Sequence, residues 1–302
     1  DIDLEEYKKF LKEINYIVNE GPEFKITTSN VDKEISTICG PQLVVPITNA
    51  RFALNAVNAR WGSFYDALYG TDALGDMPKG NNYDSERGVR VVAFAKSHLD
   101  KFAPLLNASW SEINKIQLLE NKIVLSSANN SNINLENNNQ IIGWRKNQKS
   151  ILTELILLKN NLHCRILINA NDAIGKNDPA NIADILIESA ISTILDCEDS
   201  VATVDADDKI LAYRNWLGLV KGDLQAEFKK NNQVVTRTLN KDIKFCTNKG
   251  SEEFLKTRSL MLIRNVGHLM TTPAILNKDN QEIGEGVMDA IITTLIATYD
   301  FK

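Results

Sequence analysis

The chain has 302 residues, 43% hydrophobic and 24% charged, with a formal net charge of −5. That length suits one large domain or two. The acidic balance argues against nucleic acid as a partner, because binding it calls for a basic face. The four cysteines, Cys39, Cys164, Cys197 and Cys246, are scattered and form no CxxC pair. A zinc site or disulfide framework is therefore not expected, and a reducing cytoplasm is. No run of 18 apolar residues occurs, so no membrane partner is expected either. The first residue is Asp1 rather than Met, and a piece of a longer protein is expected.

In chain order, "LEEYKKFLKEINYIV" spaces Leu4, Tyr7, Phe10, Leu11, Ile14 and Ile17 at helical intervals. Leu43, Val44 and Val45 form a β-prone run ended by Pro46, after which an Ala- and Asn-rich stretch from Thr48 turns helical. Together they predict a buried strand followed by a helix. Residues 116–148 hold short β-prone pieces between Asn-rich turns, and "SSANNSNINLENNN" predicts a solvated hairpin or loop. "LHCRILIN" alternates as a strand does, and "PANIADILIESAI" predicts a helix with Pro179 in its first turn. Thr193-Ile194-Leu195 predicts a strand, residues 205–230 a helix, "QVVTRTL" a β-prone piece, and "SLMLIRNVGHLM" a buried strand. Trp61, Trp110, Trp144 and Trp216 form no stripe and are expected in core or interdomain packing.

Three apolar strands end in polar residues. Leu43–Val45 leads to Thr48, Asn49 and Arg51. Thr193–Leu195 leads to Asp196, Glu198 and Asp199. Leu260–Ile263 leads to Arg264 and Asn265. Strands of a parallel α/β sheet are buried on both faces and do not alternate. Such folds place their chemistry at the carboxyl ends of the strands, most consistently in (β/α)8 barrels. Three carboxylates within four residues at the end of a buried strand fit that position.

Taken singly, these residues keep plainer readings. "DCEDS" also reads as a helix cap plus solvated loop. Arg264 also reads as a structural ion-pair partner, and His268 as a satisfied buried histidine or helix-start residue. Cys197 reads as a small buried thiol rather than a nucleophile.

Three long motifs, "GPQLVVPITNARFALNAVNARWGSFYDALYGTD", "ILDCEDSVATVDADDKILAYRNWLGLVKGDL" and "RSLMLIRNVGHLMTTPAIL", resemble malate synthase of the long, monomeric bacterial isoform G. The resemblance runs along the whole chain and is weakest in the Asn-rich middle. It implies an α/β fold: part of a (β/α)8 TIM barrel, with an inserted α/β domain and an N-terminal helical segment. On that pattern residues 1–14 end the helical clasp. Residues 15–60, 192–221 and 260–302 are TIM-barrel segments, and 61–191 and 222–259 form the insertion.

The implied activity is an acyltransferase reaction of the glyoxylate cycle and the tricarboxylic acid cycle's relatives. Acetyl-CoA condenses with glyoxylate, and malyl-CoA is hydrolysed to malate and free CoA. Magnesium is the implied cofactor. Arg264 matches the arginine that stabilises the enolate and alkoxide, and Asp196 and Glu198 match acids lining the magnesium and glyoxylate end. Val44, Arg51, Phe52, Ser200 and Arg237 match positions lining the acetyl-CoA cleft. The resemblance also puts the direct magnesium ligands and the catalytic aspartate beyond Lys302. An incomplete, inactive fragment is therefore expected, able to self-associate although the family is monomeric. The other readings are a non-catalytic fragment or interaction module, and a related acyl-CoA lyase or aldolase on the same barrel.

Overall fold

The computed structural model describes residues 3–80, 82–230 and 233–301. The extreme ends of the expected spans, residues 1, 2 and 302, lie outside them. Among the described residues the chain builds two principal bodies, one around a three-stranded parallel sheet and one around a seven-stranded antiparallel sheet.

The parallel sheet runs Gln42–Pro46, Ser192–Asp196, Leu260–Arg264, with Ser192–Asp196 in the middle. Its register aligns Pro46 with Asp196 and Asp196 with Arg264, so all three polar strand ends meet at one rim. Each strand leads on to a helix, the first two after a loop and the third after the hairpin Thr271–Leu276 and Glu282–Gly284: Ala50–Val57, Ala206–Lys221 and Glu285–Ala297. Leu54, Val57, Leu195, Trp216 and Leu219 are among the buried residues of the core between sheet and helices. The middle strand is buried at every residue but Ile194; the outer two are more exposed, and Val44 is 55% exposed. The Leu260–Arg264 strand expected to be buried is thus half-buried. It sits at a sheet edge, with a neighbour on one side only.

The helix Ala206–Lys221 starts under an Asp205 cap and stops at Gly222, whose φ of 80° suits glycine at a helix end. The helix expected over 205–230 is therefore shorter. Its tail becomes the strand Ala226–Lys230, which pairs with Gln233–Arg237 in a hairpin against the Ala50–Val57 helix.

The antiparallel sheet orders Glu252–Leu255, Ile243–Thr247, Ile141–Lys146, Leu152–Lys159, Leu162–Ile168, Ile182–Glu188 and Trp61–Ser63. The helix expected at "PANIADILIESAI" is instead the strand Ile182–Glu188. Asn181 takes a φ of 58°, which interrupts any helix begun at Pro179. The extended segment pairs with Leu162–Ile168 on one side and Trp61–Ser63 on the other. The helix Ser85–Phe102 covers this sheet, burying Val91, Ala95 and Leu99 with Trp110 and Trp144. The Asn-rich tract turns Lys122–Ser127 back onto Asn132–Ile133 in a three-stranded sheet whose other turn, between Ile113–Leu119 and Lys122–Ser127, is Glu120–Asn121.

The N-terminal helix, Leu4–Glu13, is capped by Asp3 and buries no residue. It ends before Ile14 and Ile17, which the periodicity had included. Among the described residues no helix is long and apolar enough to cross a membrane.

Candidate functional site

The parallel rim gathers its charges by strand alternation. Leu195 and Cys197 point into the core between sheet and helices, which sends Asp196 and Glu198 to the other side. Asp196 has no exposed surface. Its two oxygens accept from Arg264 in a fork, Nε to Oδ1 at 2.7 Å and Nη2 to Oδ2 at 2.9 Å. Oδ1 also accepts from the Glu198 amide at 3.0 Å. Oδ2 accepts from the Ser200 amide at 3.0 Å and the Ser200 hydroxyl at 2.7 Å. Burial by itself would raise the Asp196 carboxyl. Arg264, Ser200 and the backbone amides outweigh that and hold it well below the usual carboxylate range. The same pairing keeps Arg264 firmly cationic.

The outer face of the guanidinium is turned to two more acids. Arg264 Nη1 lies 3.5 Å from Glu198 Oε2 and 3.4 Å from Asp199 Oδ2. Asp199 or Ser200 is expected from the sequence to turn toward the following loop or helix start; instead Asp199 faces Arg264 and Ser200 turns back onto Asp196. A planar fork fastened at one edge by Asp196 and partly exposed at the edge that Glu198 and Asp199 border can orient a carbonyl oxygen there. Burial, with Asp289 nearby, pushes the Cys197 thiol up to about 12, which removes it as a nucleophile at neutral pH. His268 is exposed rather than buried, because it lies in the loop beyond the edge strand.

The other positions fall in two places. Ser200 belongs to the Asp196 cluster just described. Arg51 and Arg237 meet at a residue that sequence reasoning did not single out, Phe228 on the hairpin. Their guanidinium carbons lie 4.1 Å and 5.8 Å from its ring centre. Both arginines are exposed. Arg51 sits in the first turn of the Ala50–Val57 helix, where Asn49 accepts from the Phe52 amide at 3.0 Å. Two cations and an aromatic face beside a helix start suit an anionic ligand with phosphates. Phe52 is half exposed on that same helix, and Val44 is exposed on the edge strand. Phe228 lay inside the helix expected over 205–230 and carried no site signal, because its place depends on hairpin pairing.

Comparison with known proteins adds an independent finding. A family model described as "Malate synthase G, alpha-beta insertion domain" matches residues 83–160. Malate synthase G of Halalkalibacterium halodurans is 44% identical over 302 residues, covering 99% of this chain and 41% of that protein. Malate synthase G of Corynebacterium glutamicum is 48% identical over 300 residues, 98% of this chain and 40% of its own. That of Corynebacterium efficiens is 47% identical over 298 residues, 98% of this chain and 39% of its own. The chain thus spans about two fifths of the length of the curated relatives it matches.

Proposed function

We infer that this chain, a homologue of malate synthase G over 98–99% of its own length, contributes the electrophilic half of a malate synthase site. The reaction would be a Claisen condensation. The acetyl-CoA methyl loses a proton, the enolate carbon attacks the glyoxylate aldehyde, and water cleaves the malyl thioester to malate and free CoA. The observation that carries this reading is Arg264, held in a fork by the fully buried Asp196 at the carboxyl ends of neighbouring parallel strands.

In this reading Arg264 stabilises the oxygen that becomes negative, first in the enolate and then in the alkoxide. Arginine suits the task because it does not surrender its proton to a nearby base. Asp196 holds the guanidinium in one orientation, so little reorganisation is needed when charge develops. Glu198 and Asp199 border the open edge and tune which anion can settle there. Arg51, Arg237 and Phe228 would receive the phosphates and base of the coenzyme, with Phe52 and Val44 along the approach. The three parallel strands would be an arc of a (β/α)8 barrel, with residues 61–191 and 222–259 as the insertion and 1–14 as the end of a helical clasp. A cytoplasmic, monomeric enzyme of the glyoxylate cycle fits the scattered free thiols.

The magnesium implied by the resemblance needs several oxygen donors free of other partners. Asp196 has both oxygens engaged, and Glu198 and Asp199 face Arg264. Among the described residues no group of three or more His, Cys, Asp and Glu is arranged to hold a metal. These residues do not by themselves fit the ion.

Binding tests the reading. Acetyl-CoA titrated into the chain by calorimetry should bind, and replacing both Arg51 and Arg237 with Ala should weaken it at least about tenfold, two charged contacts being lost. Equal affinity in the double variant would remove the coenzyme assignment. Loss of glyoxylate-induced shifts on Arg264→Lys, with acetyl-CoA binding retained, is the expected result at the other end.

A further inference from the structure

Asp289 is fully buried near the start of the Glu285–Ala297 helix. Its Oδ1 accepts from Lys209 Nζ at 2.9 Å and from the Tyr213 hydroxyl at 2.5 Å. Both donors stand on the Ala206–Lys221 helix. Its Oδ2 accepts from the Val266 amide at 3.1 Å. Glu285, one turn earlier, receives Lys209 at 2.6 Å and the Thr203 hydroxyl at 3.1 Å. Burial by itself would pull Lys209 down; the hydrogen bonds it donates to Glu285 and Asp289 outweigh it and keep the ammonium charged.

Two loops meet at this cluster. Val266 is two residues beyond Arg264, and Thr203 lies in the loop opened by Asp196, Glu198 and Asp199. The helix is pressed hard against the first of them. A side chain at Gly286 would come within 2.4 Å of the Val266 carbonyl. Releasing the Val266 N–H would take from this fully buried carboxylate one of its three donors.

We propose that Asp289 is a positioning residue for Arg264: by fixing the Val266 amide it sets where the chain leaves the strand, and so the pose of the guanidinium two residues earlier. This rests on the role given to Arg264 above. A helix-to-helix clamp would need only Lys209 and Tyr213. The bond to Val266 is what extends the cluster to the rim.

The test is nitrogen-15 NMR of the 302-residue chain, reading exchange of the Arg264 Nε–H and of the Val266 amide. Asp289→Asn keeps the shape but turns an NH2 group toward a donor. It should speed Arg264 Nε–H exchange at least about tenfold, the weight of one hydrogen bond to a charged group. Glu34→Gln, in a buried ion pair of the other body, should lower the melting temperature without moving Arg264. Unchanged Arg264 exchange in Asp289→Asn overturns the proposal, and so does equal acceleration in both variants, which would mean general destabilisation. If Asp289→Asn does not fold, the unaltered chain still decides. A Val266 amide that exchanges as fast as an exposed loop amide rejects the link, and a strongly protected one at low field supports it. Glyoxylate and acetyl-CoA titrations of the unaltered chain test the functional reading separately. Absence of binding there, with Arg264 exchange accelerated in Asp289→Asn, overturns that reading while the positional link stands.

Discussion

Asp196 shows how much one side chain can settle. It sits without exposure beneath five donor groups, and the acceptor-only character of a carboxylate is what satisfies them. Asp196→Asn would place an amide NH2 among donors and remove the charge opposite Arg264. The expected cost is about 2–4 kcal/mol, less than for a wholly buried pair because Arg264 is partly exposed. Urea unfolding followed by circular dichroism measures it, and a loss below about 0.5 kcal/mol would show that the donors find other partners. Thiol chemistry gives a second reading. Cys39 is exposed, whereas Cys164 and Cys197 are buried with their thiols pushed up to about 12. A disulfide reagent at pH 8 should label Cys39 rapidly, and Cys164 and Cys197 only after denaturant is added. Fast labelling of Cys197 would reopen it as a reactive group.

At the scale of elements, the parallel sheet was the legible part. Unbroken apolar runs ending in charge are what a strand buried on both faces looks like, and the Ser192–Asp196 strand is buried at every residue but Ile194. The Ile182–Glu188 strand was not legible. Its pattern of apolar residues also satisfies a helical period, and Pro179 resembles a helix start. The decision came from a left-handed Asn181 and from partners at Leu162–Ile168 and Trp61–Ser63, the second of them far off in sequence. The tail of the expected 205–230 helix failed for a similar reason, since Gly222 ended it and the hairpin claimed the residues after Leu224. Two glycines separate turn chemistry from close packing. Gly222→Ala should cost about 1 kcal/mol through its left-handed backbone alone. Gly286→Ala should cost more, about 1–3 kcal/mol, because the added carbon meets the backbone of Val266 and one of the two must move. Thermal melts of both variants rank them, and the reverse order would mean that the helix and the Val266 loop are not in close contact.

Across the whole molecule, two ion-pair centres link stability to acid. Burial by itself would raise Glu34; hydrogen bonds from Arg60 and Lys256 outweigh it and lower it from 4.5 to about 2. Asp196 is likewise depressed. A carboxylate with a depressed native pKa favours the folded state above its unfolded value, and that contribution fades as pH falls through the native one. Stability should therefore be flat above about pH 5 and decline from about pH 4.5 toward 2. In Glu34→Gln the decline should be shallower over that window; an unchanged slope would mean that other acids dominate it. Catalysis scales differently. The carboxylates beside Arg264 are all engaged by it, and none stands free as a base. With acetyl-CoA, glyoxylate and magnesium, this chain alone should release no thiol above a no-enzyme control. Steady turnover would require a base from within these residues.

Composition and pattern by themselves determined the α/β class, the solvated Asn-rich turns, and the rim of charge behind apolar strands. These come from local rules: residue alternation, strand burial on both faces, and the dislike of asparagine runs for a packed core. Tertiary structure alone decided that Asp199 turns onto Arg264, that Phe228 stands between Arg51 and Arg237, that Ile182–Glu188 is a strand, and that Asp289 reaches Val266. Each depends on groups brought together across the chain. Its energy comes from burial and hydrogen-bond completion, which no local window of sequence contains.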